Sequence, residues 1–175
     1  RFHLGETLLK RPHQGLLDAL RATGSKIHEN FPYMELEGHG ICVEKIVLDT
    51  GISSQYASAL LMAAPLANRP FEVVLNQTHL EQKPYIQMTL SLMQQWGIET
   101  LQKQEQGDAV LSAQKGSYQA RSYQVEADYS SASYFFVAAL LAGGQLQLGP
   151  FDQKSLQGDK RIVEIARLCG ADIRY

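Results

Sequence analysis

Two serines and a glutamine, Ser53, Ser54 and Gln55, stand directly before the apolar stretch "YASALLMAAPLA". Hydroxyl and carboxamide groups donate hydrogen bonds, and the unpaired N–H groups at the start of a helix favour an anion. Serine is also a common N-cap, because its hydroxyl accepts a hydrogen bond from one of those N–H groups. The tripeptide is therefore open to two interpretations, a cradle for a phosphate or carboxylate and a simple helix cap.

A second pair of serines opens another apolar stretch, "SSASYFFVAALLAGG", which begins at Ser130. This copy lacks the glutamine, so the first copy is the better candidate for a ligand and the second is expected to act mainly as a cap. Glu126 and Asp128 stand just ahead of it at alternating positions of a predicted strand. No partner for proton transfer is evident nearby, which favours a hinge or capping role for both carboxylates.

Two more motifs suit an anionic small molecule. Arg11 precedes Pro12 at a predicted helix start, where a guanidinium can fork onto a carboxylate or phosphate. In "KPYI", Pro84 fits the first position of a helix and places Tyr85 near its free end. The alternatives are an exposed surface arginine and plain helix initiation with Tyr85 partly packed.

The elements that must position these residues recur along the chain. Three segments predict an amphipathic helix, a glycine and a strand: "LLDALRATGSKI", "LSLMQQWGIETL" and "VEIARLCGADIRY". Their glycines, which suit the left-handed position after a helix, follow one another at intervals of 73 residues: Gly24, Gly97 and Gly170. In the helix of the second segment the spacing predicts an apolar stripe of Ile86, Leu90, Met93 and Gly97, and in the third a stripe of Ile162, Ile165, Ala166 and Cys169.

A unit of about 75 residues therefore repeats, which is longer than a solenoid repeat. Within it the order is strand, Ser-Ser, apolar helix, strand ("FEVVL", "GQLQLGPF"), amphipathic helix, glycine and two strands. The apolar helix has no polar face and should be enclosed. The predicted fold class is α/β, with repeated β-α-β-α-β-β units whose helices are enclosed by sheets.

Composition narrows the class of protein. The 175 residues are 45% hydrophobic and 19% charged, as in a soluble globular protein. A net charge of −2 with mixed signs argues against nucleic-acid or membrane partners that bind by bulk charge. The longest apolar runs are about half the roughly 20 residues of a membrane span. Cys42 and Cys169 are isolated and the histidines lack ligand spacing, so we expect free thiols, no metal and a cytoplasmic protein.

Five motifs together resemble the 5-enolpyruvylshikimate-3-phosphate synthase family, in the same order: "LLKRP", "SSQYASALLMAAPLA", "KPYIQMTLSLM", "VEADYSSASYFFVAALLAGG" and "LQGDKRIVEIARLCGADI". The resemblance implies transfer of the enolpyruvyl group of phosphoenolpyruvate to the 5-hydroxyl of shikimate 3-phosphate, through a tetrahedral intermediate and without a cofactor. It also implies two lobes of three β-α-β-α-β-β units each, and a monomer.

The resemblance assigns roles by motif. Ser53 and Ser54 would hold the phosphate of shikimate 3-phosphate, Gln55 would lie between the two substrates, and Tyr85 would line the phosphate site. Arg11 would hold phosphoenolpyruvate. Gln82 stands where family members usually have a serine that contacts the shikimate phosphate, so its part in binding is open. Residues 1–124 would belong to the lobe that binds shikimate 3-phosphate, and 125–175 to the crossover and the first part of the second lobe.

The motifs match only the middle of the family's chain, and the sequence begins in what looks like mid-strand, so we expect an internal fragment. The family's residues for proton transfer are not among these motifs, so no catalytic residue is assigned and the fragment is expected to be inactive. A related enzyme, UDP-N-acetylglucosamine enolpyruvyl transferase, is the nearest alternative. Others are a non-catalytic module that binds a phosphate ligand and a purely structural α/β repeat.

Overall fold

A computed structural model describes residues 1–49 and 54–175. Ser53, one of the predicted phosphate ligands, lies outside the described residues. The chain divides into two units, residues 1–120 and residues 121–175. Each unit is described separately below.

The first unit contains two sheets. Its strands are β1 (Phe2–His3), β2 (Lys26–Asn30), β3 (Tyr33–Glu37), β4 (Lys45–Leu48), β5 (Glu72–Leu75), β6 (Thr100–Glu105) and β7 (Asp108–Ala113). The first three form an antiparallel sheet in the order β1-β3-β2, and the others form a sheet in the order β4-β5-β7-β6. Its helices are α1 (Glu6–Leu9), α2 (Gln14–Ala22), α3 (Ser54–Ala63) and α4 (Pro84–Gln95), with short 3-10 turns at Ala64–Leu66 and Leu80–Gln82.

The four-stranded sheet determines how α3 and α4 run. Strand β4 is parallel to β5, and β7 is antiparallel to both β5 and β6, so β4, β5 and β6 point the same way. Helix α3 connects β4 to β5 and helix α4 connects β5 to β6. A crossover between parallel strands must return along the sheet. The two helices are therefore parallel to each other, and both begin at the carboxyl ends of β4 and β5.

One face of this sheet and both helices share a core. Helix α4 buries Ile86, Leu90 and Met93, as its predicted stripe requires, and α3 buries Ala57, Leu60 and Leu61. Alternate strand residues meet them from the sheet, because successive side chains of a strand point to opposite faces. These strand residues are Ile46, Leu48, Val73, Leu75, Ala109, Leu111 and Ala113.

The predicted helix ends are confirmed. Gly24 follows α2 with a φ of +91°, Gly97 follows α4 with +84°, and Gly170 follows the last helix of the chain with +95°. A side chain in this left-handed region is strained, which explains why each helix ends at glycine. The strand predicted after the glycine is present in the first two segments, as β2 and β6.

The second unit differs from the prediction in its strands and in one helix. It contains α5 (Tyr129–Ala142), a 3-10 turn at Gly158–Lys160 and α6 (Arg161–Leu168). The segments "GQLQLGPF" and "ADIRY" form no strand, since a strand needs a hydrogen-bonded neighbour and residues 121–175 offer none. The prediction that the apolar helix is enclosed is wrong for α5, where Tyr134 is 78% and Leu141 84% exposed. Within this unit α6 and the 3-10 turn before it pack against α5, and the ring of Phe151 lies 4.3 Å from that of Tyr129 between centroids.

The α/β fold class is confirmed by the mixed sheets and crossover helices of the first unit. In the described part of the chain, no helix combines the length and apolar character that crossing a bilayer requires.

Candidate functional site

The start of α3 is tied to the segment that carries Arg11. The hydroxyl of Tyr56, in the first turn of α3, donates to the carbonyl of Pro12 at 2.6 Å. Pro12 lies just ahead of α2, which begins at Gln14 after His13 as its N-cap residue. Helices α2 and α3 therefore begin next to each other, although the two bonded residues are 44 positions apart in the sequence.

The start of α3 is also tied to that of α4. Ser58 Oγ lies 2.8 Å from Thr89 Oγ1, and the Thr89 hydroxyl donates to the carbonyl of Tyr85 at 2.9 Å. Ser58 is one helical turn beyond Ser54, and Thr89 is one turn beyond Tyr85. Since α3 and α4 are parallel, this contact holds Ser54 and Tyr85 at the same end of the helix pair.

Each predicted ligand residue that the structure describes lies at or near one of these three helix starts. Arg11 is exposed in the turn between α1 and α2, and its N–H donates to the carbonyl of Leu8 at 3.0 Å. Ser54 is the first residue of α3 and half-buried, and Gln55 is exposed beside it. Tyr85 is the second residue of α4 and 40% exposed. Gln82 is exposed at the end of the 3-10 turn before α4.

Such a group of helix starts suits an anion. The first N–H groups of a helix generally have no partner in that helix, and its positive dipole end favours negative charge, so a ligand placed before these helix starts would be stabilised as an anion. Helix α4 begins with Pro84, whose missing N–H costs nothing at that position. Arg11 forms no ion pair with any residue in 1–49 or 54–175, so its fork of donors is not neutralised by a described carboxylate.

Comparison with known proteins identifies the family of the chain. The family model for EPSP synthase (3-phosphoshikimate 1-carboxyvinyltransferase) matches residues 4–175, which is nearly the whole chain. The chain belongs to the EPSP synthase family. Among curated relatives, the 3-phosphoshikimate 1-carboxyvinyltransferases of Photorhabdus laumondii and Escherichia coli are each 41% identical to it, and that of Buchnera aphidicola is 36% identical.

These alignments cover 97% or 98% of the present chain. The chain in turn spans 40% of the length of each of these relatives. The match to the EPSP synthase family therefore extends over nearly the whole chain. The relatives contain further residues that have no counterpart in this chain.

A cavity of the first unit borders the turn before α4, with Leu80 and Glu81 in its lining. A space of about 600 Å³ lies between α4 and β6, and its lining is mostly amides and hydroxyls, including Gln87, Gln94 and Thr100. The one lysine in the lining, Lys103, is held by Glu105 at 2.8 Å and Glu72 at 3.2 Å. These carboxylates, Glu105 first, raise the pKa of Lys103 and neutralise its charge, so the cavity offers no unpaired lysine to an anion.

The second serine pair is not the cap of its helix, and that prediction is wrong. Asp128 is the N-cap residue of α5, and its carboxylate accepts from the N–H groups of Ser130 at 3.0 Å and Ser131 at 3.2 Å. The Ser131 hydroxyl adds a third bond at 2.6 Å. The Ser131 hydroxyl, followed by the Ser130 N–H, holds the pKa of Asp128 below its usual value. The capping role that the sequence favours for Asp128 is confirmed.

Glu126 takes part in a network that shapes the turn before α5. Its Oε1 accepts from Ser155 at 2.9 Å, while its Oε2 is buried without a partner among the described residues. Gln157 bridges this turn, because its amide donates to the carbonyl of Ala127 at 2.9 Å and accepts from the N–H of Tyr129 at 2.9 Å. Glu126 is connected to this turn through Ser155, whose hydroxyl also accepts from the N–H of Gln157 at 3.2 Å, and its hinge role stays a prediction.

Sequence reasoning missed two residues that organise the molecule. Tyr56 reads as part of an apolar helix, and Gln157 reads as a surface glutamine. A polar tip within an otherwise apolar stretch was the available signal for Tyr56, since a buried tyrosine hydroxyl usually has a partner. In the described ranges, no group of three or more His, Cys, Asp or Glu side chains is placed to hold a metal ion.

Proposed function

We propose that the protein carrying this chain transfers the enolpyruvyl group of phosphoenolpyruvate to the 5-hydroxyl of shikimate 3-phosphate and releases phosphate. The hydroxyl adds to the enol carbon to give a tetrahedral intermediate, which then loses phosphate. Both substrates are anions, and neither step needs a cofactor. The observation that carries the proposal is the pair of hydrogen bonds, Tyr56 to Pro12 and Ser58 to Thr89, which bring three helix starts to one place.

The roles of the residues are those that the family resemblance implies, and their positions in the fold are compatible with them. Ser54 and Gln55, on the first turn of α3, bind shikimate 3-phosphate together with Ser53, and Tyr85 lines the same phosphate site from α4. Arg11 binds phosphoenolpyruvate, whose carboxylate and phosphate both match a forked donor. Gln82 is exposed at the approach to α4, and its amide contributes to the phosphate site only if the long side chain folds toward it.

The proposal also assigns the two halves of the chain and the location of the protein. Residues 1–124 belong to the lobe that binds shikimate 3-phosphate, and 125–175 form the crossover and the beginning of the second lobe. The complete protein is a monomer of the cytoplasm. None of the assigned residues transfers a proton, so we expect the 175-residue chain by itself to bind substrate without turning it over.

The test is a calorimetric titration of the 175-residue chain with shikimate 3-phosphate, with shikimate as the control that lacks the phosphate. Binding that requires the phosphate, and that weakens in Ser54→Ala and Gln55→Ala, supports the proposal. Gln102→Ala, at an exposed position of β6, is the matched control and should bind like the wild type. No binding by a folded sample, or equal binding of both ligands, contradicts the assignment of the site.

The relatives' names bear on the alternative enzyme. The curated relatives described above are named as transferases that act on 3-phosphoshikimate. Their names favour shikimate 3-phosphate over UDP-N-acetylglucosamine as the acceptor. Titration with UDP-N-acetylglucosamine distinguishes the two directly, since only one acceptor should bind in the micromolar to millimolar range usual for substrates. A phosphate-release assay with phosphoenolpyruvate and shikimate 3-phosphate, on the complete protein that carries this chain, separates an enzyme from a module that only binds.

A further inference from the structure

Tyr56 joins two elements at once. Its ring is partly buried against the main core, and its hydroxyl reaches the carbonyl of Pro12 at 2.6 Å. The ring also faces the first turn of α2, because a Cβ added at Gly15 would lie 3.5 Å from Tyr56 Cε2. Tyr56 therefore contacts both the loop before α2 and the beginning of that helix.

The segment held by this bond has mainly local hydrogen bonds otherwise. Within the described residues, the backbone N–H of Arg11 donates to Leu8, and the carbonyl of His13 accepts from Leu16 and Leu17, each at 3.0 or 3.1 Å. Such bonds maintain the turn and the first turn of α2, but they do not connect the segment to α3. The bond from Tyr56 makes that connection, at the residue next to Arg11.

The geometry points to Tyr56 as the residue that positions Arg11 for phosphoenolpyruvate, a role that rests on the proposed function above. The phenol hydroxyl touches backbone and no reacting atom, so Tyr56 is a positioning residue. Its own helix carries Ser54 and Gln55, so the bond sets the distance between the part of the site that holds one substrate and the arginine that holds the other. Phenylalanine at this position keeps the ring packing and loses only the bond.

The experiment compares Tyr56→Phe with Tyr118→Phe in the 175-residue chain. Tyr118 is the matched control, because its hydroxyl donates to the carbonyl of Met62 at 2.8 Å, near the other end of α3. We expect Tyr56→Phe to bind phosphoenolpyruvate about fivefold more weakly, which is the size of one net hydrogen bond. Binding of shikimate 3-phosphate should change less than about twofold, since the residues of α3 stay in place. Tyr118→Phe should leave both affinities unchanged.

A double-mutant cycle with Arg11→Ala identifies what the bond acts on. If Tyr56 acts through Arg11, then Tyr56→Phe costs nothing further once Arg11 is alanine. Hydrogen exchange gives a readout without ligand, because the N–H groups of Arg11 and Leu16 should exchange faster in Tyr56→Phe and not in Tyr118→Phe.

The results separate this proposal from the proposed function. If Arg11→Ala weakens phosphoenolpyruvate binding while Tyr56→Phe binds like the wild type, the positioning role is overturned and the proposed site stands. The role is also overturned if the loss in Tyr56→Phe persists when Arg11 is alanine, or if Tyr118→Phe shows the same loss. If the wild type binds no phosphoenolpyruvate, or Arg11→Ala binds it normally, both proposals fall.

Discussion

Ser58 on α3 and Thr89 on α4 share a hydrogen bond of 2.8 Å. Because Thr89 uses its own proton to bond the carbonyl of Tyr85, the proton between the two hydroxyls comes from Ser58. The bonds thus run from the middle of α3 to the backbone at the beginning of α4. The distance between the two helix starts therefore depends on Ser58 and Thr89, which lie one helical turn after Ser54 and Tyr85.

Removing this pair should destabilise the first unit in a non-additive way. Thr89→Val leaves the half-buried Ser58 hydroxyl without its acceptor, so the free energy of unfolding should fall by about 1 kcal/mol. Ser58→Ala should cost a similar amount, and the double variant less than the sum of the two. Urea denaturation of the four proteins measures the coupling, and strictly additive losses would show that the two hydroxyls do not interact.

Loss of Arg11 or Gln55 should reduce catalysis in a protein that carries this chain and turns over both substrates. We expect Arg11→Ala and Gln55→Ala each to lower kcat/KM at least tenfold, or about 1.4 kcal/mol of transition-state stabilisation. Arg69→Ala is the matched control, because Arg69 is exposed in the same unit and pairs with Glu44 at 3.6 Å. Kinetics like the wild type from both variants would refute the residue assignments.

The cap at Asp128 should make α5 sensitive to acid. Its pKa is lowered in the folded chain, so its contribution to stability is complete above the unfolded value of about 3.9 and is lost as the pH falls through the folded value. Asn is also a good N-cap but does not titrate. The difference in thermal midpoint between the wild type and Asp128→Asn should therefore shrink on acidification.

Asp128→Ala provides the comparison for this experiment. It removes the acceptor for the N–H groups of Ser130 and Ser131, so it should reduce stability near neutral pH more than Asp128→Asn does. A difference between wild type and Asp128→Asn that stays constant with pH would show that this carboxylate does not control the acid response.

The glycines after α2 and α4 should differ in their tolerance of alanine. Both have positive φ, which costs a residue with a side chain about 1 kcal/mol. A Cβ at Gly24 meets nothing within 4 Å, but one at Gly97 lies 2.8 Å from Cδ of Gln119. Gly97→Ala should therefore lower the free energy of unfolding more than Gly24→Ala, as measured by chemical denaturation. Adding Gln119→Ala should remove the difference, and its persistence would mean that the contact is not the cause.

Some features of the fold follow from local sequence alone. Pro84 begins α4 and Gly97 ends it, because proline lacks an N–H and glycine tolerates positive φ. The stripe of α4 is also correct, since one of its faces is apolar and the other is rich in glutamine. In α6 the prediction is correct for Ala166, which is buried, but wrong for Ile165, which is 47% exposed while Val163 is 3% exposed. The buried face is shifted toward Val163, because the elements packed against a helix decide which part of its apolar face is covered.

The sequence by itself determined the family, the helix boundaries and the residue types that suit two anionic substrates, because these depend on motifs and on contacts within a turn or two. Only the tertiary structure decided that Tyr56 bonds to Pro12 and Ser58 to Thr89, across 44 and 31 residues. Periodicity indicates which face of a helix is buried, but it does not name the partner on the other side. The parallel crossovers of β4, β5 and β6 place Ser54 and Tyr85 at the same end of the helix pair, and the bond from Tyr56 to Pro12 connects the segment of Arg11 to that end.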